Sequence, residues 1–383
     1  MCQLDDYVNE KDKEIQQTYA DLHQLAEPSW QERKTSAYIQ EALTRAGITY
    51  KTFNGHFGIV ADIPGESDEV VALRADMDAL VQEVKGEVQP NHSCGHDAHS
   101  TMVLHTALAF AACRPRLKKS VRFIFQPAEE KGEGALKMVE EGALDHCRYL
   151  FGVHLRPWME VPMGKASPVI IHSSCATIYG VIKGQQAHAS RPQDGNNPIE
   201  AASFLIQALQ NIRLKSPDSF SIKMTGLKSG GDSSNVIPEK AEFILDLRAR
   251  TNAAMEELKV KTEDLLEKVG HLTGTAISGN VTEFVPAATT NKEATNLAVK
   301  AIAAVIGEEN VADPCVSQGG EDFHFYTLQK PDLKGTMIGL GCDLLPGLHH
   351  PEMQFNKEAL LYGTKILANL LYQAASLENK NEK

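Results

Sequence analysis

The segment Asn91-His92-Ser93-Cys94-Gly95-His96-Asp97-Ala98-His99 sets a thiol two residues before an imidazole, Cys94 and His96. Both are good ligands for Zn, Co, Ni or Mn-like ions. Alone, the segment reads equally well as a His-rich loop around a buried Cys. A second cluster, Glu129-Glu130, stands between an apolar run at 121–125 and the turn Gly132-Glu133-Gly134. Adjacent acids on a loop are usually solvated charge. Behind a buried run, one carboxylate can bind a metal while the other moves a proton, because the attacking water needs a nearby base. The turn itself is too weak a signal for phosphate binding. His154 follows the run at 150–153, where a lone His is more often structural. His349-His350-Pro351 is more informative, since two imidazoles in one loop cannot both be core, so one of them is a ligand candidate. His188 lies far along the chain from the rest and reads blandly as a surface histidine.

The elements that would position these groups are short. Runs at 70–73, 121–125, 150–153 and 337–340 have the length and composition of buried strands, and each is followed by metal-type ligands. They lead to Asp76 and Asp78, to Glu129 and Glu130, to His154, and to His349-His350. Open α/β sheets carry their sites at such strand ends. Residues 5–46 predict two amphipathic helices broken near Pro28-Ser29. Strand-like runs at 50–53 and 58–63 follow, and then strands and helices alternate, the pattern of an α/β domain. From about 174 to 284 the pattern changes. Alternating segments at 176–182 and 241–248, with helical stretches at 198–214 and 253–269, predict helices on an antiparallel sheet, inserted into the larger domain.

A chain of 383 residues exceeds the usual span of one core and predicts two domains. Its net charge of −12, with no long Lys/Arg run, argues against nucleic acid and anionic membrane as partners. The start is acidic and lacks a signal-peptide layout, and no apolar stretch approaches the roughly 18 residues of a membrane span. Seven scattered cysteines without a CxxC pair predict reduced thiols and a cytoplasmic location. The charged tail from Glu378 to Lys383 is expected to be disordered.

Eight motifs, in order, resemble the M20 metallopeptidases, in the amidohydrolase branch that contains hippurate hydrolases, N-acyl-amino-acid deacylases and auxin-conjugate hydrolases. They are LRADMDAL, NHSCGHDAH, FQPAEEKGEGA, FGVHL, GQQAHASRPQ, SSNVIPEKAEFILDLRA, SQGGEDF and LHHPEMQF, and they cover nearly the whole chain. The resemblance implies an α/β catalytic domain, with a mixed, mostly parallel sheet flanked by helices, over 1–173 and 286–383. It implies a smaller α+β lid and dimerisation domain over 174–285, with a homodimer through the lid. It implies two divalent ions (Zn, Mn, Co or Ni) held by Cys94, His96, Glu130, His154 and His350, with Glu129 as general base and acid. His188 would stabilise the tetrahedral oxyanion, and Asn235, Arg248 and the backbone at Gly319 and Gly320 would contact substrate. A guanidinium suits a substrate carboxylate because it can bind both oxygens. Asp76 stands where related branches carry a metal-binding His, and Asp78 fits a group that orients a ligand; neither is expected to be a direct ligand.

The function implied is hydrolysis of the amide bond of N-acyl amino acids or small acylated peptides. A dipeptidase or aminopeptidase using the same site is the alternative, and a non-catalytic binder of amino acids or peptides is a third reading, disfavoured because Glu129, His188 and the ligands are all present. The chain departs from its relatives at Val81-Gln82-Glu83, at Pro192-Gln193 and at Gly319-Gly320, all near the expected pocket, so these changes bear on substrate identity rather than on metal chemistry.

Overall fold

The four apolar runs become adjacent strands of one sheet. In the computed structural model, which describes residues 2–378, a seven-stranded sheet reads from edge to edge Thr49–Phe53, His56–Ile63, Lys119–Gln126, Ser67–Asp76, Cys147–Pro157, Lys334–Leu344 and Ala166–Ser167. The strands from Lys119–Gln126 to Lys334–Leu344 are mutually parallel, and the outer pairings are antiparallel. Val71, Leu73, Phe123, Phe125, Phe151, Val153, Ile338 and Leu340 share a core with Met102 and Val103 of the His96–Cys113 helix and with Ile366 and Leu370 of the Glu358–Ala375 helix. Alternate positions such as Ala72, Ile124, Leu150 and Met337 are buried as well. Burial on both faces explains why these strands read as continuous apolar runs rather than as an alternation. The expected mixed sheet flanked by helices is what forms.

The amino-terminal region differs from expectation. It forms three helices, Cys2–Glu10, Asp12–Gln24 and Arg33–Arg45, where two were expected. The additional break falls at Lys11, whose backbone leaves the helical region (φ −95°, ψ 8°). The bend lets Leu4 and Val8 on one side and Ile15 and Tyr19 on the other enter the same core. Residues 379–383 of the charged tail lie outside the described residues. Among the described residues no helix is long and apolar enough to cross a membrane, and the six cysteines whose side chains are described are free thiols.

The described chain divides into two compact units, one of 2–171, 289–316 and 322–378, the other of 172–288 together with 317–321. The second unit thus takes a short return segment, 317–321, from late in the chain. Its sheet is antiparallel in the order Phe220–Ser229, Lys240–Ala249, Ser174–Lys183, Ala276–Val285. Along Lys240–Ala249 burial alternates strictly, as one covered face requires. Ala241, Phe243, Leu245 and Leu247 share a core with Leu205 and Leu209 of the Pro198–Leu209 helix and with Leu258 and Leu266 of the Asn252–Thr273 helix. The first of these helices stops five residues short of the expected 214, and the second extends to Thr273, where Gly274 closes it in the left-handed conformation (φ +67°).

Phe243 lies opposite Gly180 across two of these strands. A Cβ at position 180 would stand 2.0 Å from the Phe243 ring, so the ring fills space that only a glycine leaves open. Phe243→Ala is expected to destabilise the second unit by about 3–5 kcal/mol, read from the urea midpoint. A cost below about 1 kcal/mol would show that the ring is not a packing element of that unit.

Candidate metal centre

Local backbone geometry aims the chemical groups. Cys94 and His96 flank Gly95, which takes a left-handed conformation (φ +90°) just before the His96–Cys113 helix begins. A Cβ there would also stand 2.9 Å from the Leu155 side chain, so two constraints call for glycine. Glu129 and Glu130 open a short 3-10 turn entered through Ala128, itself left-handed at φ +53°. His154 lies within the Cys147–Pro157 strand rather than at its end. His349 is left-handed too (φ +63°), and its backbone N–H donates to Ser93 O at 2.7 Å, tying the loop to the Cys94 segment. Non-glycine residues held in this conformation cluster at functional sites.

These segments converge. One ligand atom each from Cys94, His96 and His154 lie within 4.8 Å of one another, as do those of Cys94, Glu130 and His349, and those of His96, Glu129 and Glu130. Cys94 Sγ stands 3.5 Å from His154 Nε2. His96 Nε2 is 3.8 Å from Glu130 Oε1 and 3.8 Å from Glu129 Oε2, and His349 Nε2 is 3.5 Å from Glu130 Oε2. His96 Nε2 and Glu130 Oε1 are buried without a hydrogen-bond partner. Buried polar atoms are nearly always satisfied, and two such atoms facing each other beside a thiol and further imidazoles fit a shared cation.

Asp78 organises the cluster from beneath. Its carboxylate, 1% exposed, accepts from Ser29 Oγ at 2.6 Å, from the backbone N–H groups of Glu129 and Glu130 at 3.1 Å each, and from His96 Nδ1 at 3.2 Å. With Nδ1 held by Asp78, Nε2 is the nitrogen that faces the cluster. His154 is set the same way, its Nδ1 donating to Leu155 O at 2.7 Å. His99 is excluded as a ligand. Its Nδ1 donates to Asp76 Oδ1 at 2.8 Å and its Nε2 accepts from Leu155 N at 3.0 Å, so both ring nitrogens are used. Asp76 also accepts from the buried Arg74 guanidinium at 2.6 Å. Arg74 in turn donates to Asp322 at 2.8 Å and to Gln126 at 2.8 Å.

The electrostatics follow from burial. Burial pushes the Cys94 thiol well above its usual range, reinforced by the Glu130 charge, and pushes the Glu130 carboxyl up to about 7 against the opposing pull of His96. Burial also drives His154 well below the ordinary imidazole value, with His99 and Arg156 adding to it, and so keeps the ring neutral as a ligand must be. Burial opposes ionisation of Asp76 as well, but His96 and Arg74 outweigh it and hold that carboxyl well below the usual carboxylate range. A thiol and a carboxyl that both resist ionisation until positive charge arrives are the donor set a divalent cation stabilises. The residues therefore fit a metal centre.

The geometry separates the two histidines of the LHHP loop. Both rings are exposed, but the His349 Nε2 lies 3.5 Å from Glu130 Oε2 within the cluster, whereas the His350 Nδ1 accepts from the Glu352 N–H two residues on. The left-handed turn at His349 and its tie to Ser93 bring that side chain to Glu130. The motif LHHP offers both rings, and only the backbone conformation distinguishes them. In the second unit, His188 is exposed and its Nδ1 lies 2.8 Å from Ser190 Oγ. It pairs with Val236 in a two-residue ladder, and Ala189 N donates to Asn235 O at 2.9 Å, so His188 and Asn235 belong to neighbouring paired segments. Arg248 is held by Asp246 at 2.8 Å and by Cys175 Sγ at 2.6 Å, and a Cβ at Gly320 would stand 3.1 Å from the same sulfur. Those expected substrate-contacting groups thus lie in two places within that unit. Sequence reading missed His349 as the reaching imidazole, and missed His99 and Arg74 as supports. The acids of LRADMDAL were the available signal for that lower layer.

Residues 72–373 match the family model described as peptidase family M20/M25/M40. The chain belongs to that family. It is 32% identical over 361 residues to N-acetyl-L-cysteine deacetylase of Bacillus subtilis (strain 168), covering 90% of this chain and 84% of that one. It is 31% identical over 367 residues to IAA-amino acid hydrolase ILR1-like 2 of Arabidopsis thaliana, covering 92% and 83%. The crystal structure of Bacillus subtilis YXEP protein, described as a dinuclear metal binding peptidase from the M20 family, superposes with a TM-score of 0.83 at 28% identity, covering 97% of this chain and 99% of that one. As an M20 hydrolase, the protein is a metal-dependent enzyme acting on amide bonds of small molecules.

The two histidines of the LHHP loop separate by substitution. His349→Ala is expected to weaken metal binding more than about tenfold by calorimetric titration, and His350→Ala to leave it within about threefold. Equal losses would return the ligand role to His350.

Proposed function

We propose that this M20 hydrolase removes the acyl group from N-acyl amino acids or small acylated peptides, using two divalent ions held by Cys94, His96, Glu130, His154 and His349. The observation that carries the reading is the convergence of these five side chains around buried, unpartnered atoms of His96 and Glu130, with a further carboxylate, Glu129, facing the same imidazole nitrogen at 3.8 Å. The substrate class is supported by relatives named as an acetylcysteine deacetylase and an IAA-amino acid hydrolase.

When bound, the ions polarise the scissile carbonyl and ease loss of a proton from the attacking water. Glu129 is the base. Its Oε1 accepts from the Asp322 N–H at 3.4 Å, which orients the carboxylate while the other oxygen faces the cluster. It takes the proton from water as the C–O bond forms and delivers it to the amide nitrogen as the C–N bond breaks, so that a carboxylic acid and a free amine leave. In the second unit, His188 stabilises the developing oxyanion, Asn235 and the Gly320 backbone contact the substrate, and Arg248 takes the substrate carboxylate. Arg248 is suited to this because Asp246 and Cys175 fix its plane and a guanidinium can bind two oxygens.

We assign the lid and dimerisation role to the second unit. Ile199, Phe204 and Ile206 are exposed on the Pro198–Leu209 helix, and Leu227 is exposed on the edge strand Phe220–Ser229. Exposed apolar groups beside an open strand edge favour a second copy of the chain as partner. A cytoplasmic location fits the free thiols.

The test is release of free amine from a panel of N-acyl amino acids and dipeptides, with chelated enzyme and after return of Zn, Mn, Co or Ni. Metal-restored cleavage of the N-acyl substrates is expected, and Glu129→Gln should lower kcat by about 10²–10⁴ with metal still bound. Cleavage of dipeptides alone would overturn the substrate class, and an unaffected Glu129→Gln enzyme would overturn the base.

A further inference from the structure

Glu32 is fully buried, with 0% of its surface exposed, and nothing in the reaction above uses it. It stands at the start of the Arg33–Arg45 helix, yet its side chain does not cap that helix. Capping falls to Glu27, whose Oε2 accepts from Lys34 N at 2.8 Å, from Thr35 N at 3.0 Å and from Thr35 Oγ1 at 3.1 Å. Glu32 instead turns inward. Its Oε1 accepts from Trp30 N at 2.9 Å and from Ala128 N at 2.9 Å, while Oε2 is buried with no partner.

The two donors have something in common. Trp30 and Ala128 are both non-glycine residues in the left-handed region, at φ +67° and +53°. Such a conformation is costly and persists only where the surroundings over-determine it. One oxygen of Glu32 holds both. Trp30 directly follows Ser29, which donates to Asp78, and Ala128 directly precedes Glu129 and Glu130, whose N–H groups donate to the same Asp78. Glu32 and Asp78 therefore grip the same two backbone segments at adjacent residues. Asp78 fixes the N–H groups of the acidic pair, and Glu32 fixes the left-handed residue that turns the chain into that pair.

We propose that Glu32 is a positioning residue for the reaction, setting the entry angle of the Glu129-Glu130 turn and through it both the base and a metal ligand. It touches neither substrate nor ligand side chain. This inference rests on the metal-site reading above. Burial pushes the Glu32 carboxyl up to about 7, with its backbone hydrogen bonds opposing the shift. That agrees with a group whose use is as a hydrogen-bond acceptor rather than as a charge.

Three variants test it. Glu32→Gln keeps an acceptor oxygen for the two N–H donors and puts an amide nitrogen where the oxygen without a partner stands. Glu32→Ala removes the acceptor, and Glu32→Asp keeps the carboxylate but withdraws it by one methylene. Metal affinity is read by calorimetric titration of the stripped proteins with Mn or Zn, and kcat and KM are read separately on the best substrate of the panel. The expected result is a loss of about 10–100-fold in metal affinity and in kcat for Glu32→Ala and Glu32→Asp, with KM within about threefold and both parameters restored by Glu32→Gln. Should Glu32→Ala fail to fold, the contrast between Asp and Gln decides. Full metal affinity in Glu32→Asp, or a loss in Glu32→Gln as deep as in the Asp variant, overturns the proposal. Because the affinities are measured without turnover, an error in the substrate reading would leave this comparison intact.

Discussion

Asp78 accepts from a hydroxyl, an imidazole and two consecutive backbone amides while almost wholly buried. Burying a carboxylate is costly unless it is richly hydrogen-bonded, and four donors hold its ionisation below the usual range despite that burial, His96 foremost among them. This contact joins three stretches of chain that are distant in sequence, the Ser29 segment, the start of the His96–Cys113 helix and the Glu129-Glu130 turn. The orientation of His96, the placement of both acidic residues and the course of the amino-terminal segment all depend on it. A ligand set drawn from four stretches of the chain holds its geometry only if something common to them is rigid, and outer-layer partners of this kind commonly govern metal affinity.

A second buried layer supports the first. Arg74 donates to Asp76, Asp322 and Gln126, and Gln126 donates in turn to both oxygens of Asp322 at 2.8 Å each. Tyr326 OH and the Ala135 N–H complete the network. A buried charge left without its partner is strongly destabilising, so the layer is all-or-none. Arg74, Asp76 and Gln126 come from the ends of adjacent parallel strands, Asp322 from just before the His324–Gln329 helix that carries Tyr326, and Ala135 from the Gly134–Glu140 helix. That placement puts polar groups just beneath the ligands, while the apolar centres of the same strands pack against helices. Strand ends can carry such groups because the sheet beneath them is already fixed.

Much of this was legible in the sequence, for physical reasons that can be named. The four parallel strands could be read because burial on both faces leaves unbroken apolar runs, and the order of motifs fixed what followed each run. Cys94, His96 and the Glu129-Glu130 pair could be read because soft and acidic ligands at those spacings have few other uses together. The choice between His349 and His350 could not be made, since it turns on a positive φ and one backbone hydrogen bond to Ser93, neither visible in LHHP. The break at Lys11 was hidden because the helical periodicity runs through it. The strand Ala276–Val285 escaped because, as an edge strand, it is largely exposed and polar. Glu32 and Glu27 look alike in sequence, and only their partners show that one caps a helix while the other reaches the site.

On the proposed reading, Cys94, His96, Glu130, His154 and His349 together hold two ions. Crystals of the metal-loaded protein, measured at the absorption edge of the bound metal, test it directly by locating the anomalous scatterers. Two peaks per chain are expected inside this cluster, with His349 in contact and with His350 and His99 outside both coordination shells. A single peak, or one coordinated by His350 or His99, would contradict it.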